Sequence, residues 1–233
     1  MEHQPIPQTS IYVSGEYLRN NPDWHAEGAE WKFGNAMPLL QRNGLEPRSI
    51  VEVGTGAGEF LKLLAEEYPD ARLVGFDISP DAIRIASAKA TERLSFHHGS
   101  PFGQSGYDLA IALDVFEHVE DYLGFLREMP RLAPYQLYNI PLDLSARYLV
   151  QKSLILRGRS EVGHLHYFFK DTALASLEDT GHEVVDLIMH SPSMVRRGFK
   201  GALRRWFFNR NPDLCVRLMG GFSMTVLCRA KGA

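Results

Sequence analysis

Short apolar runs separated by amphipathic stretches set the rhythm of this chain. Ile50, Val51 and Val53 form the first run, Arg72–Asp77 holds the second, and Arg93–Phe96 the third. Tyr107–Leu113 and Leu137–Ile140 follow, and His182–Ile188 and Gly221–Arg229 close the series. Between the first two, Phe60, Leu61, Leu63, Leu64 and Tyr68 recur at helical spacing. Strands alternating with helices predict an α/β domain with a mostly parallel sheet. Beyond Pro141 the rhythm changes. Leu142–Arg159 reads as a helix with basic residues between its apolar ones, and Asp171 as the N-cap of a helix over Thr172–Asp179, ended by Thr180-Gly181.

The junction after the first strand carries the most chemistry. Val51-Glu52-Val53-Gly54-Thr55-Gly56-Ala57-Gly58-Glu59 passes from strand to helix through three alternating glycines. Glycine lets the backbone turn tightly and approach a ligand that a Cβ would repel. Free N–H groups at the start of the helix favour an anionic group. The second strand ends at Asp77, at the separation where a dinucleotide-binding unit keeps the carboxylate for a ribose diol. Gly-x-Gly-x-Gly is not the G-x-G-x-x-G expected for a pyrophosphate, and Glu52 would repel one while suiting an amine or sulfonium cation. On these residues alone an NAD-binding domain, or a copy that has lost its ligand, stays open.

Glu52 through Asp77 resembles the first two motifs of the class I S-adenosylmethionine-dependent methyltransferases, E-x-G-x-G-x-G and a strand ending in an acid. The resemblance implies a Rossmann-like three-layer α/β/α sandwich with a seven-stranded sheet, mostly parallel, its seventh strand antiparallel. It implies S-adenosyl-L-methionine as cofactor. It puts Glu52 beside the methionine end, Gly54, Gly56 and Gly58 along the amino-acid tail, and Asp77, at a strand end outside the core, on the ribose hydroxyls. Ile78, Asp114 and Val115 complete the implied cofactor contacts. Ser100 stands where family members often keep an acid for the adenine amine, so its hydroxyl or a nearby carbonyl is expected there, with Phe102 over the ring. Asp114-Val-Phe-Glu117-His118-Val119 resembles the x-x-L-E-H-V segment of the small-molecule (type 11/23-like) branch, and Arg131-Leu-Ala-Pro134 its R-x-L-x-P turn.

Methyl transfer asks mainly for in-line positioning, with a base only where the acceptor must lose a proton. His118 is the first candidate for that catalytic role and His164 the second. The plainer role for His118 is a hydrogen bond to a neighbouring element. As base, His118 would give a rate that rises with pH through ~6.5. His164 and His166 share a face if their segment is extended, but without a third ligand no metal is expected.

Length, 233 residues, suits one domain over 1–233. Within it, 1–45 is expected to form a helical lid, and 142–168 and 189–218 to be insertions over the acceptor site. A net charge of −3 argues against nucleic-acid partners. The start lacks a basic, apolar leader and no apolar stretch nears the ~20 residues of a membrane span, so a cytoplasmic location is expected. The second insertion concentrates Arg196, Arg197, Lys200, Arg204, Arg205, Arg210 and Arg217. A solvated helix face, an anionic acceptor or carrier, and peripheral membrane contact through 196–210 all fit that pattern. The reading is O- or N-methylation of a small molecule. A protein acceptor and a non-catalytic cofactor-binding protein are the alternatives, and oligomeric state is not legible.

Overall fold

The structure, a computed structural model, describes residues 28–191 and 199–232. Seven strands, β1 (Ser49–Val53), β2 (Arg72–Asp77), β3 (Leu94–His98), β4 (Leu109–Leu113), β5 (Tyr135–Leu142), β6 (His182–His190) and β7 (Phe222–Ala230), form one sheet in the order β3-β2-β1-β4-β5-β7-β6. Strands β1 to β5 pair in parallel, and β7 lies antiparallel between β5 and β6. The expected seven-stranded sandwich with an antiparallel seventh strand is the observed architecture.

Alternation along the strands assigns the two faces. Ile50, Leu73, Leu109 and Ile111 bury one way, under α1 (Ala29–Arg42) and α2 (Glu59–Glu67). Val51, Val74, Ala110 and Ala112 bury the other way, against α4 (Tyr122–Leu132), which follows α3 (Pro80–Ala86) in the chain, and α7 (Lys170–Asp179). Sheets buried on both faces read as unbroken apolar runs, as Leu109-Ala-Ile-Ala-Leu113 does.

Several local expectations shift. Residues 1–27 of the expected lid, with Tyr12, Tyr17 and Trp24, lie outside the described residues. Its later part is α1, whose Ala36, Met37, Leu39 and Leu40 are core, while Trp31 and Lys32 at its start reach the cavity described below. The helix expected over 142–159 is broken. Strand β5 runs to Leu142, and α5 (Ala146–Val150) and α6 (Lys152–Arg157) meet at Gln151 before a π-turn over Gly158–Val162. Asp171 is not the N-cap of α7, since that helix starts at Lys170, two residues earlier than expected, and Thr172 Oγ1 accepts the N–H of the N-cap Phe169. Strand β6 continues to His190, so the second insertion starts later than expected and comprises, among described residues, α8 (Phe199–Arg210) and α9 (Pro212–Met219). Leu203 (49%) and Trp206 (62%) on α8 stay exposed. Among the described residues, no helix is long and apolar enough to cross a membrane.

One buried hydrogen-bond network ties α7 to the centre of the sheet. His182 Nδ1 lies 3.0 Å from the Leu177 carbonyl, which can only accept, so Nδ1 carries the proton. Nε2 then accepts from the Tyr138 hydroxyl at 2.7 Å. Burial keeps the ring neutral, moving its pKa down to about 4. Tyr138→Phe leaves that nitrogen buried without a donor and is expected to cost about 1–3 kcal/mol. Urea unfolding followed by circular dichroism checks this. A variant as stable as the parent would show that the bond contributes nothing.

Candidate active site

Strands β1 and β4 are neighbours from which the chain departs in opposite directions, the switch point where open α/β sheets bind ligands outside their carboxyl ends. A cavity of about 910 Å³ opens there, near the upper end of the about 300–1,000 Å³ usual for small-ligand clefts.

Contacts of the glycine loop set the shape of one end. Gly54 has φ +76°, and a Cβ there would stand 2.6 Å from Val115 Cγ2, so the loops after β1 and β4 touch. Gly58 does a different job from the one expected. It caps α2 in the left-handed region, where a Cβ would meet the Phe96 ring at 2.7 Å, and it does not line the cavity. Glu52, Gly54, Gly56 and Asp77 do line it.

Asp77 is more deeply built in than a free strand end. It is 7% exposed, and its carboxylate accepts the Gly56 N–H at 2.9 Å and the Ser79 N–H at 2.8 Å. Burial raises its pKa, and those two N–H groups oppose the rise. Asp77 therefore fixes the glycine loop as well as facing the cavity. Glu52 is buried and accepts the Thr55 hydroxyl at 2.6 Å, yet burial still pushes its pKa up to about 8.

Ile78, Ser100 and Phe102 line the next wall. Phe102 packs edge-on against Phe125 at 5.3 Å, and Ser100 Oγ accepts the Phe102 N–H at 3.2 Å. Opposite stand Asp114 and Val115. Asp114 has φ +57°, a strained setting for a non-glycine residue of the kind that gathers at functional sites. Its carboxylate is held by Lys32 Nζ at 2.7 Å and by the Asn139 amide at 2.6 Å. Burial disfavours the Lys32 ammonium, but Asp114 outweighs it and holds the pKa above its ordinary value.

The far end is made by the turn Phe116–His118 and by the first insertion. His118 and His164 both line it, their rings 4.8 Å apart, and Glu117 joins them. The N–H groups of Leu165 and His166 donate to the Glu117 carbonyl at 2.8 and 3.0 Å, pinning the insertion to the turn. His166 does not share the face of His164, because its Nε2 is bonded to the Val119 carbonyl at 2.9 Å. Burial, with His164 adjacent, moves the His118 pKa down to about 4, not the ~6.5 expected for an exposed base. Burial also lowers His164, against the pull of Asp143. Burial thus favours the neutral form of both rings.

Several lining residues were missed as site residues in the sequence, Lys32 and Glu117 among them. Lys32 gives no motif signal. Glu117 lies inside the quoted x-x-L-E-H-V segment, and an acid flanked by Phe116 and His118 next to a buried strand was the available clue.

A protein-family model described as a methyltransferase domain matches residues 29–187. The chain is 32% identical over 97 residues, 38% of this chain and 33% of the relative, to ajmaline N-methyltransferase of Rauvolfia serpentina. It is 33% identical over 100 residues, 41% of this chain and 38% of the relative, to trans-aconitate 2-methyltransferase of Afipia carboxidovorans. The chain thus spans about a third of the length of the curated relatives it matches. A methyltransferase from Geobacter sulfurreducens, solved with S-adenosyl-L-homocysteine, superimposes with a TM-score of 0.61 at 17% identity. That likeness covers 97% of this chain and 99% of the other, and shows the fold.

Proposed function

The chain belongs to the S-adenosylmethionine-dependent methyltransferase family, and we propose that it moves the methyl group of that cofactor to a small-molecule acceptor, at oxygen or nitrogen. One observation carries this: a single continuous cavity with two unlike ends, an acid-lined glycine loop at one and a pair of imidazoles 4.8 Å apart at the other. The first insertion overhangs the far end through Val162, His164 and Leu165, which favours a compact acceptor over an extended peptide. The relatives named for ajmaline and trans-aconitate support the same substrate class.

In this reading the residues present suit the cofactor. Gly54 and Gly56, which line the cavity, leave their side of the loop open to its amino-acid tail. Glu52 faces the cationic methionine end, and Asp77 takes the ribose hydroxyls. Ile78 and Phe102 flank the base, with Ser100 at its edge, and Asp114 and Val115 wall the centre. Bound there, the cofactor supplies a methyl group already activated on a sulfonium. What the chain must add is position: His118 and His164 accept a hydrogen bond from the acceptor's O–H or N–H and turn its lone pair toward that methyl. A neutral imidazole with a pKa near 4 is a weak proton acceptor, so His118 orients more than it deprotonates. Incubation with radiolabelled cofactor and a panel of hydroxylated, carboxylated and amine-bearing metabolites tests the assignment. Label appearing only in protein would replace it with a polypeptide acceptor.

Asp77→Ala should weaken cofactor binding at least tenfold, through loss of charge-assisted bonds worth about 1.5–3 kcal/mol each. Some stability should go too, about 1–3 kcal/mol, because the Gly56 and Ser79 N–H groups lose their acceptor. Calorimetric titration at a temperature where circular dichroism shows the variant folded separates the two effects. Unchanged affinity there would remove Asp77 from the site.

Binding should also be linked to a proton. With a pKa near 8, Glu52 is mostly protonated at pH 7 in the free protein. A cation beside it favours the carboxylate, so the bound pKa falls and a proton leaves. Affinity should then rise with pH up to about 8 and level off above it. Titrations at pH 7 in buffers of different ionisation enthalpy measure this release. Binding heats independent of the buffer would rule out the linkage.

A further inference from the structure

We propose that Glu117, His118 and His164 form a divalent-cation site at the acceptor end of the cavity. Their ligand atoms converge from two segments of chain, all within 4.8 Å of one another. A bound triad would bring them to roughly 3–3.5 Å, from metal–ligand bonds of about 2.0–2.2 Å, a closure of roughly 1.3–1.8 Å at the widest pair that side-chain rotations can supply.

Glu117 is the observation that points to an ion. It is fully buried, and neither of its carboxylate oxygens has a hydrogen-bond partner. His118 Nε2 stands 3.8 Å from Oε1, and Lys32, the lysine of the cavity, is already paired with Asp114 at 2.7 Å. A buried carboxylate without a donor or counter-charge is costly, and native proteins keep one where something else completes it. A cation would.

Both imidazoles are also supported from behind, as metal-bound histidines are. His118 has a backbone hydrogen bond with Gly163, and His164 Nδ1 faces Asp143 Oδ2 at 3.7 Å. The backbone clamp from Leu165 and His166 onto the Glu117 carbonyl holds the two halves of the triad together before any ion arrives. All three residues line the cavity, so an ion and an acceptor can both reach them.

Two imidazoles and one carboxylate suit borderline ions such as manganese, iron(II), cobalt or zinc, and not the all-oxygen cages of calcium or magnesium. Three protein ligands leave coordination positions open. Resting on the methyltransferase reading, the site selects oxygen acceptors, because a bound ion takes the imidazole lone pairs and itself replaces them as the acceptor's anchor. An acceptor hydroxyl bound to the cation loses its proton to water more readily. The oxygen lone pair then forms the new O–CH₃ bond as the C–S bond breaks, its electron pair staying on sulfur as a neutral thioether.

The test is titration of chelator-treated full chain with Mn²⁺, without cofactor or acceptor, by calorimetry and electron paramagnetic resonance. One ion per chain is expected, with nitrogen couplings from two imidazoles in the echo-modulation spectrum. Glu117→Gln and His164→Ala should each weaken binding at least tenfold. Glu128→Gln, on the exposed side of α4, should bind as the parent does. Absence of stoichiometric binding, or a bound ion without imidazole coupling, overturns the site, and the coupling is read on the parent protein even if a variant fails to fold. A chain that binds Mn²⁺ in this way yet transfers no methyl group to any acceptor would instead overturn the functional reading and leave the site standing.

Discussion

Ile50 pairs with Leu109 and Glu52 with Ile111, and from that parallel register the rest of the site follows. It brings the carboxyl ends of β1 and β4 to one edge, where the chain must leave in opposite directions. Both exits then need unusual backbone. Gly54 takes a positive φ because Val115 occupies the space a Cβ would fill, and Asp114 takes one as the chain turns away from β4. Lys32 and Asn139 hold the Asp114 carboxylate, so the strained exit is fixed from α1 on one side and β5 on the other.

Charge along the cavity is unbalanced. Among the described residues, Lys32 is the only lysine or arginine that lines it, against Glu52, Glu59, Asp77, Asp114, Glu117, Glu120 and Asp121. Asp114 claims Lys32. The folded chain therefore leaves Glu52 at one end and Glu117 at the other buried with too little positive charge, and burial raises the pKa of both. A ligand that carries a cation to either end relieves that cost. The same physics favours a sulfonium-bearing cofactor beside Glu52 and a metal ion beside Glu117, because burying a carboxylate without a partner leaves a deficit that only incoming charge can fill.

What was legible in the sequence was whatever rests on local pattern. Apolar runs gave the strands, and a glycine-rich exit followed by an acid gave one end of the cavity, since tight turns and strand-end carboxylates need particular residue types at fixed spacing. Gly58 shows the limit of that logic: its conformation was foreseeable, but its partner is Phe96 of a distant strand. Lys32 was invisible for the same reason, since only folding brings α1 across to Asp114. The histidines were seen but paired wrongly. Alternation joined His164 to His166, whereas the segment is irregular and turns His166 onto the Val119 carbonyl, leaving His164 to meet His118.

The basic second insertion acts first as a brace. None of its described residues lines the cavity. Arg204 donates to the Gly220 and Gly221 carbonyls at 2.6 and 3.1 Å and lies over the Phe222 ring at 4.1 Å, while Arg217 pairs with Asp171. Gly221 in turn gives its N–H to Asp143, which also receives the Tyr148 hydroxyl, and Asp143 faces His164. A path of hydrogen bonds and charge thus runs from a surface helix to an imidazole at the acceptor end. Gly220 has no room for a side chain on that path, because a Cβ would stand 2.3 Å from Ser145 Oγ, the cap of α5. The insertion therefore reaches His164 without lining the cavity itself, through Arg204, Gly221 and Asp143.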